Sequence, residues 1–328
     1  MMTKQASLLP LPFANSHQGN PRRIGVEIEL SGLTLTQLAE LLASELQLST
    51  EQKGRYDLRL TGDPAGDWVV ELDFHLLKEL GKTERDPGSL SQSAEQLLAS
   101  VASQLVPLEL VSPPLPFERL SDIERIISQL QQQGATGSSD EFRNAFGLQL
   151  NPEIPSSDPE VLLRFLQAFV CLHDWLLQQE QIDITRRLTS YINPYPKAYQ
   201  KLILAADYQP DLARLIDDYL SHNPTRNRAL DCLPLFMELD DNRVKAEVKD
   251  ELVKARPTFH YRLPSSEIQQ PGWGLHRAWN GWVQIEKLVA NPDRLKACAA
   301  AYLALLDKPL GKLLQDWPTQ LEQTWLSQ

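Results

Sequence analysis

Apolar and polar residues alternate with a period of two in several short stretches of the chain. In RIGVEIEL, Ile24, Val26, Ile28 and Leu30 fall on one side, and Gly25, Glu27 and Glu29 on the other. In YDLRLT, Tyr56, Leu58 and Leu60 oppose Asp57, Arg59 and Thr61. In DWVVELD, Trp68, Val70 and Leu72 oppose Val69, Glu71 and Asp73, and in PLEL, Leu108 and Leu110 oppose Glu109. FGLQLN sets Phe146, Leu148 and Leu150 against Gly147, Gln149 and Asn151, and PTFHYRL sets Phe259, Tyr261 and Leu263 against Thr258, His260 and Arg262. Such alternation predicts half-buried strands of an antiparallel or mixed sheet with one covered face.

Other stretches carry a helical period. TLTQLAELLASELQL opens with Thr34 and Gln37 at capping-box spacing and continues as a leucine stripe. SDIERIISQLQQQG repeats the arrangement, with Ser121 and Glu124 as the expected box and Ile123, Ile126, Ile127 and Leu130 as the stripe. Asp158 and Pro159 make a good helix start, and the segment after them is apolar nearly all round, which predicts a buried helix. From Asp207 onward helix dominates, interrupted by the strand near His260. The pattern predicts an α+β fold in three parts: an irregular arm over residues 1–20, one domain over 21–275 and a helical cap over 276–328. No internal repeat is present, and the Pro-rich and Gly/Ser-rich pieces read as loops within a domain.

Composition narrows the function. The chain has 328 residues, 42% of them apolar and 23% charged, which fits an ordinary globular protein with a substantial core. Lys and Arg number 32 against 43 Asp and Glu, a net charge of -11 that argues against a broad nucleic-acid footprint. Cys171, Cys232 and Cys298 are far apart and form no C-x-x-C pair, so a disulfide framework or structural zinc is not expected. No run is long and apolar enough to span a bilayer, and the start of the chain is a poor signal-peptide core. The expectation is a cytoplasmic protein with no membrane partner. P-loop, dinucleotide-binding, serine-hydrolase and zincin motifs are absent.

The polar sides of the strands hold the candidate chemistry. Glu27 and Glu29 stand about 7 Å apart on one side of an otherwise apolar strand and oppose each other's ionisation. If the strands are neighbours, Glu27, Glu29, Glu71, Glu109, Gln149, Asn151, His260 and Arg262 collect on one face. Converging carboxylates suit Mg²⁺ or Mn²⁺, and two such ions suit the phosphates of a nucleotide. Basic residues group as Lys197 with Lys201, Arg226 with Arg228, and Arg256 with Arg262, and arginine forks suit phosphate. Any one of these residues, taken singly, also fits an ordinary solvated surface. His75 is given no role.

RRIGVEIEL, GDWVVELD, LELVSPPLP, GLQLNPEIP, TRNRALDCLP and RPTFHYRLP, in this order, resemble the serial motifs of the amidoligase family, a carboxylate–amine ligase branch of the glutamine-synthetase-like superfamily. The resemblance runs from about Arg22 to about Leu263. It implies a curved, mostly antiparallel sheet with helices on one face and the active site on the other. It implies Glu27, Glu29, Glu71 and Glu109 as metal ligands, with Gln149 where a metal-binding His is common. It further implies Arg226 and Arg228 as phosphate-touching residues, His260 at a metal-ligand Glu position and Arg262 as a phosphate-binding arginine. Gln149 and His260 depart from the glutamine synthetase pattern.

The resulting expectation is an ATP-dependent amidoligase using two or more Mg²⁺ or Mn²⁺ ions, with a small-molecule or peptide carboxylate and an amine as partners. Glu29, Arg228, His260 and Arg262 are the expected catalytic residues, with Lys197, Lys201, Arg226, Arg228, Arg256 and Arg262 around the nucleotide. The alternatives are a non-catalytic nucleotide- or peptide-binding relative, and a metal-dependent phosphohydrolase. An acyl phosphate needs shelter from water, so a lid is expected among the arm before Pro21, the loop from Thr61 to Asp67 and the loop from Gly134 to Glu141.

Overall fold

The computed structural model describes residues 7–54, 56–72, 107–138, 146–182, 192–308 and 316–326. The fold is α+β, and the chain forms two compact units, one from residues 25–148 and 265–275, the other from residues 1–24, 149–264 and 276–328. Among the described residues no helix is long and apolar enough to cross a membrane.

The first unit is built on strands β1 (Arg23–Leu30, from Gly25 on), β2 (Ser49–Gly54), β3 (Asp57–Thr61), β4 (Trp68–Leu72), β5 (Leu108–Val111) and β6 (Leu115–Pro116). Their order is β2-β3-β4-β5-β1, with β6 also paired to β1. The pairs β2–β3, β3–β4, β4–β5 and β5–β1 are antiparallel. The expected alternation holds for most positions: Val26, Ile28, Leu30, Leu60, Trp68, Val70, Leu108 and Leu110 are buried, while Glu27, Glu29, Glu71 and Glu109 are half-buried, as are Tyr56, Leu58 and Leu72 on the expected apolar side. Helix α1 (Leu35–Leu46) packs over β2, β3 and β4 and against α2 (Leu120–Gln132). Thr34 and Gln37 form the expected capping box at the start of α1.

The second box does not form. The chain turns at Phe117–Arg119 as a short 3-10 helix, and α2 begins at Leu120, so Ser121 already lies in its first turn. Its hydroxyl donates to the Glu118 carbonyl, 3.0 Å away, instead of capping.

The second unit holds β7 (Leu148–Pro152, from Gln149 on), β8 (Leu230–Asp231) and β9 (His260–Tyr261), in the order β7-β9-β8. Around them are α3 (Pro159–Gln179), α4 (Lys197–Leu204), α5 (Leu212–His222), α6 (Leu233–Leu239), α7 (Asp241–Glu247), α8 (Leu275–Val289), α9 (Pro292–Asp307) and α10 (Trp317–Thr324). Asp158 caps α3 through the Glu160 N–H, with Pro159 in the first turn, as expected. Helix α3 is buried along most of its length, and α4, α5, α9 and α10 pack on it. Phe165, Phe259, Tyr261 and Trp282 form a contiguous aromatic core, with ring centroids 4.7–6.0 Å apart along the chain of contacts.

The arm is tied to this core. Leu9 N–H donates to Asn280 at 2.9 Å, and Trp279 Nε1 donates to the Leu9 carbonyl at 2.7 Å. Arg22 and Glu286 form a bidentate ion pair, 2.9 and 2.8 Å, with both side chains fully buried. The strands of this unit correct one expectation. All of β7 and β9 is buried, with Gln149, Asn151 and His260 at 7%, 5% and 5% exposure. Alternation there marks two covered faces, and on the polar one Asn151 and His260 hydrogen-bond to each other.

Candidate active site

In the first unit the strand register lines up carboxylates. Glu29 of β1 lies opposite Glu109 of β5, Glu109 lies opposite Glu71 of β4, and Glu71 lies opposite Asp57 of β3. Directly opposed residues point to the same face with Cβ atoms about 4.5–5.5 Å apart, so Asp57, Glu71, Glu109 and Glu29 form a continuous cross-strand row. Glu27 shares this face, in the neighbouring row formed by Glu27, Val111, Val69 and Arg59. Glu29 is held in place by Gly147: its N–H donates to the Gly147 carbonyl at 2.9 Å, and its Oε2 accepts the Gly147 N–H at 2.7 Å.

Asp57 is a member of the row that the sequence reading did not single out, although its alternation phase placed it on the polar side. Its Oδ1 is buried and has no hydrogen-bond partner among the described residues. The carboxylates stand apart as a row: among the described residues no three His, Cys, Asp or Glu side chains converge as on a bound ion.

In the second unit a basic cluster surrounds His260. The imidazole Nδ1 lies 2.7 Å from Asn151 Oδ1, and Arg262 Nη1 lies 3.3 Å from Nε2. With a carbonyl oxygen as one partner and a guanidinium as the other, the proton sits on Nδ1 and Nε2 accepts. Burial, and then the guanidiniums of Arg262, Arg256 and Arg226, push the imidazole well below its ordinary range, so it is neutral. The three arginines are half-buried. Arg226 also pairs with Asp250 at 2.8 Å.

The other expected cationic residues are placed differently. Arg228 donates to the carbonyls of Pro194 and His222, at 3.0 and 3.3 Å, and so fastens the loop around it. Lys201 is ion-paired with Asp307 of α9. Lys197 is exposed at the start of α4. Asp231, opposite His260 across the β8–β9 pair, is 1% exposed and was missed, because a lone Asp between apolar neighbours carries no periodic signal.

Two of the expected lids are fastened in this structure. The arm is held by Asn280 and Trp279, and the Thr61–Asp67 loop is held by Asp63, which accepts both Arg119 Nη groups, at 2.6 and 2.9 Å. In the third, residues 139–141 lie outside the described residues, as does His75. Gly137 in its described part approaches another segment closely: Ser138 N–H donates to the Ser266 carbonyl at 2.8 Å, and a Cβ on Gly137 would meet that oxygen at 2.0 Å.

No curated protein matches the chain. Residues 20–284 match the family model described as "Putative amidoligase enzyme". That span takes in the carboxylate row, the arginine cluster and every strand of both units, and the chain belongs to this amidoligase family.

Proposed function

We propose that the protein is an ATP-dependent carboxylate–amine ligase that forms an amide or isopeptide bond on a glutamine-synthetase-like sheet. Beyond family membership, the reading is carried by the row of Asp57, Glu71, Glu109 and Glu29 at consecutive register positions. Like charges placed opposite one another do not favour strand pairing, which supports a role for the row beyond folding.

The donor set fits a hard divalent cation: every member offers carboxylate oxygens, they share one face, and Asp57 Oδ1 lacks a partner. Glu27, Glu29, Glu71 and Glu109, joined by Asp57, would hold two or more Mg²⁺ or Mn²⁺ ions by side-chain rotation. Bound there, the ions supply positive charge that offsets that of the nucleotide phosphates. Arg226, Arg256 and Arg262 supply forked donors for a phosphoryl group. His260 belongs with these arginines rather than with the metal ligands, because both of its nitrogens are engaged and three guanidiniums around it oppose a cation. In the reaction, a substrate carboxylate oxygen attacks the γ-phosphorus and the bond to ADP breaks. The amine nitrogen then attacks the acyl carbon, the bond to phosphate breaks, and the amine proton passes to phosphate or solvent.

A second reading, a nucleotide- or peptide-binding relative without turnover, is favoured by the buried amide of Gln149 and the engaged nitrogens of His260. A coupled ADP assay with Mg-ATP, run with and without pooled carboxylates and amines, separates the two. Acceptor-dependent turnover with one ADP per amide is expected. Glu109→Gln and Arg262→Gln should each lower it by roughly 100-fold or more. Fast phosphate release needing no acceptor would instead identify a hydrolase, and binding without turnover the degenerate relative.

A further inference from the structure

The reaction outlined above makes no use of Asp231. Its Oδ1 accepts the Leu233 N–H at 2.9 Å, at the start of α6, while Oδ2 is buried with no hydrogen-bond partner among the described residues. A buried carboxyl oxygen without a partner is costly, so its persistence beside the arginines calls for a physical reason. The groups that act on it are Arg262, Arg226 and Arg256, Cys232 next in the chain, and Tyr219 of α5. His260 faces it from β9. The guanidiniums keep their charge throughout the accessible range. Burial pushes the Cys232 thiol and the Tyr219 phenol above their ordinary values, and it pushes His260 below its own, so all three are neutral near pH 7. Asp231 is the member of this set whose charge changes near neutrality: burial lifts its carboxyl to about 7, against the pull of the Leu233 N–H and the three arginines.

We propose that Asp231 couples the arginine cluster to a proton: an anion held by Arg226, Arg256 and Arg262 binds together with one proton, taken up from solvent at Oδ2 of Asp231. This rests on the reading of those arginines as an anion site. Ionised Asp231 is an internal counter-ion. An incoming phosphoryl or sulfate group brings a second negative charge into the same poorly solvated region, and the two oppose each other. Protonation removes the conflict, converting the carboxylate to a carboxylic acid with no other bond made or broken. Below about pH 7 the proton is already present and anion binding is indifferent to pH. Above it, each anion must bring a proton, and affinity falls by up to roughly tenfold per pH unit.

Sulfate is the suitable probe, because it does not itself titrate near neutrality. Isothermal titration of the full chain with sulfate at about pH 6, 7 and 8, in two buffers of different ionisation heat, measures affinity and proton uptake together. The expected result is a roughly fivefold weaker affinity at pH 8 than at pH 7, with uptake approaching one proton per sulfate at pH 8, and only about a twofold change between pH 6 and 7. Arg262→Gln should weaken sulfate binding at every pH. Asp231→Asn, which keeps an oxygen for the Leu233 N–H, should bind sulfate with no pH dependence and more tightly than the parent at pH 8. A flat profile in the parent chain overturns the proposal and leaves the anion site standing. A slope that survives in Asp231→Asn, or sulfate binding indifferent to Arg262→Gln, also overturns it. Absence of sulfate binding at every pH removes both the coupling and the anion site. None of these outcomes depends on ligase turnover.

Discussion

Replacing Asp63 with Asn removes one charge from the clamp on the β3–β4 loop and leaves its shape. The Asp63 carboxylate accepts Arg119 Nη1 and Nη2 at 2.6 and 2.9 Å, Ala65 N–H at 2.8 Å and Trp68 Nε1 at 2.9 Å, and its side chain is 2% exposed. Above all the Arg119 guanidinium holds this carboxyl down to about 2, from an ordinary 3.8. At about 1.4 kcal/mol per pH unit, that gap is worth about 2.5 kcal/mol of stability. Because the folded value is the lower one, the stabilisation is complete above about pH 4 and is lost as the pH falls through 2. About half should remain near pH 3. Urea unfolding of the parent chain and of Asp63→Asn, followed by tryptophan fluorescence, should show a difference of about 2.5 kcal/mol at pH 5 to 7 that shrinks toward pH 3. It should appear in the transition of the unit formed by residues 25–148 and 265–275. A cost below about 0.5 kcal/mol at pH 7, or one equally large at pH 3, would refute the reasoning. It would also return the Thr61–Asp67 loop to the list of possible lids.

Glu286→Gln leaves the Arg22 guanidinium buried opposite a neutral group and should cost about 3–5 kcal/mol. Thermal melts should show the loss largely recovered when Arg22→Met is combined with Glu286→Leu, and an unchanged melt for the single variant would contradict the account. Gly137→Ala would drive a Cβ into the Ser266 carbonyl and should cost about 3 kcal/mol in urea unfolding. A cost under about 1 kcal/mol would mean that the 265–275 segment yields freely.

The alternation in RIGVEIEL, DWVVELD and PLEL was enough to place Glu27, Glu29, Glu71 and Glu109 on one side of their strands, because each strand has one apolar face to bury. It could not show that Glu109 stands opposite both Glu29 and Glu71, since register is a property of strand pairs. Strand β2 was invisible: STEQKG is exposed along its whole length and is a strand only because it hydrogen-bonds to β3. In β7 and β9 the same alternation misled, because a polar residue can be buried when a partner waits for it, as Asn151 waits for His260. Arg228 shows the opposite limit. Residue type suggested a phosphate ligand, but it could not show that two carbonyls, set by the local course of the chain, accept from its Nη groups.

The charges of this protein can be weighed by whether stability explains them. Arg22 with Glu286 and Arg119 with Asp63 are bidentate pairs, one fully buried and the other with its carboxylate almost fully so; each positive charge meets a negative one at hydrogen-bond distance, and folding accounts for both. The row from Asp57 to Glu29 runs the other way. At each step a carboxylate faces a carboxylate where Thr, Val or an opposite charge would hold the strands together better. Cross-strand packing alone therefore does not favour such a row. Sites that break a local rule in this manner are where function is expected. This is why the metal-binding reading rests on the row as a whole rather than on any one glutamate, and why Glu109, the residue opposed on both sides, is the position at which to test it.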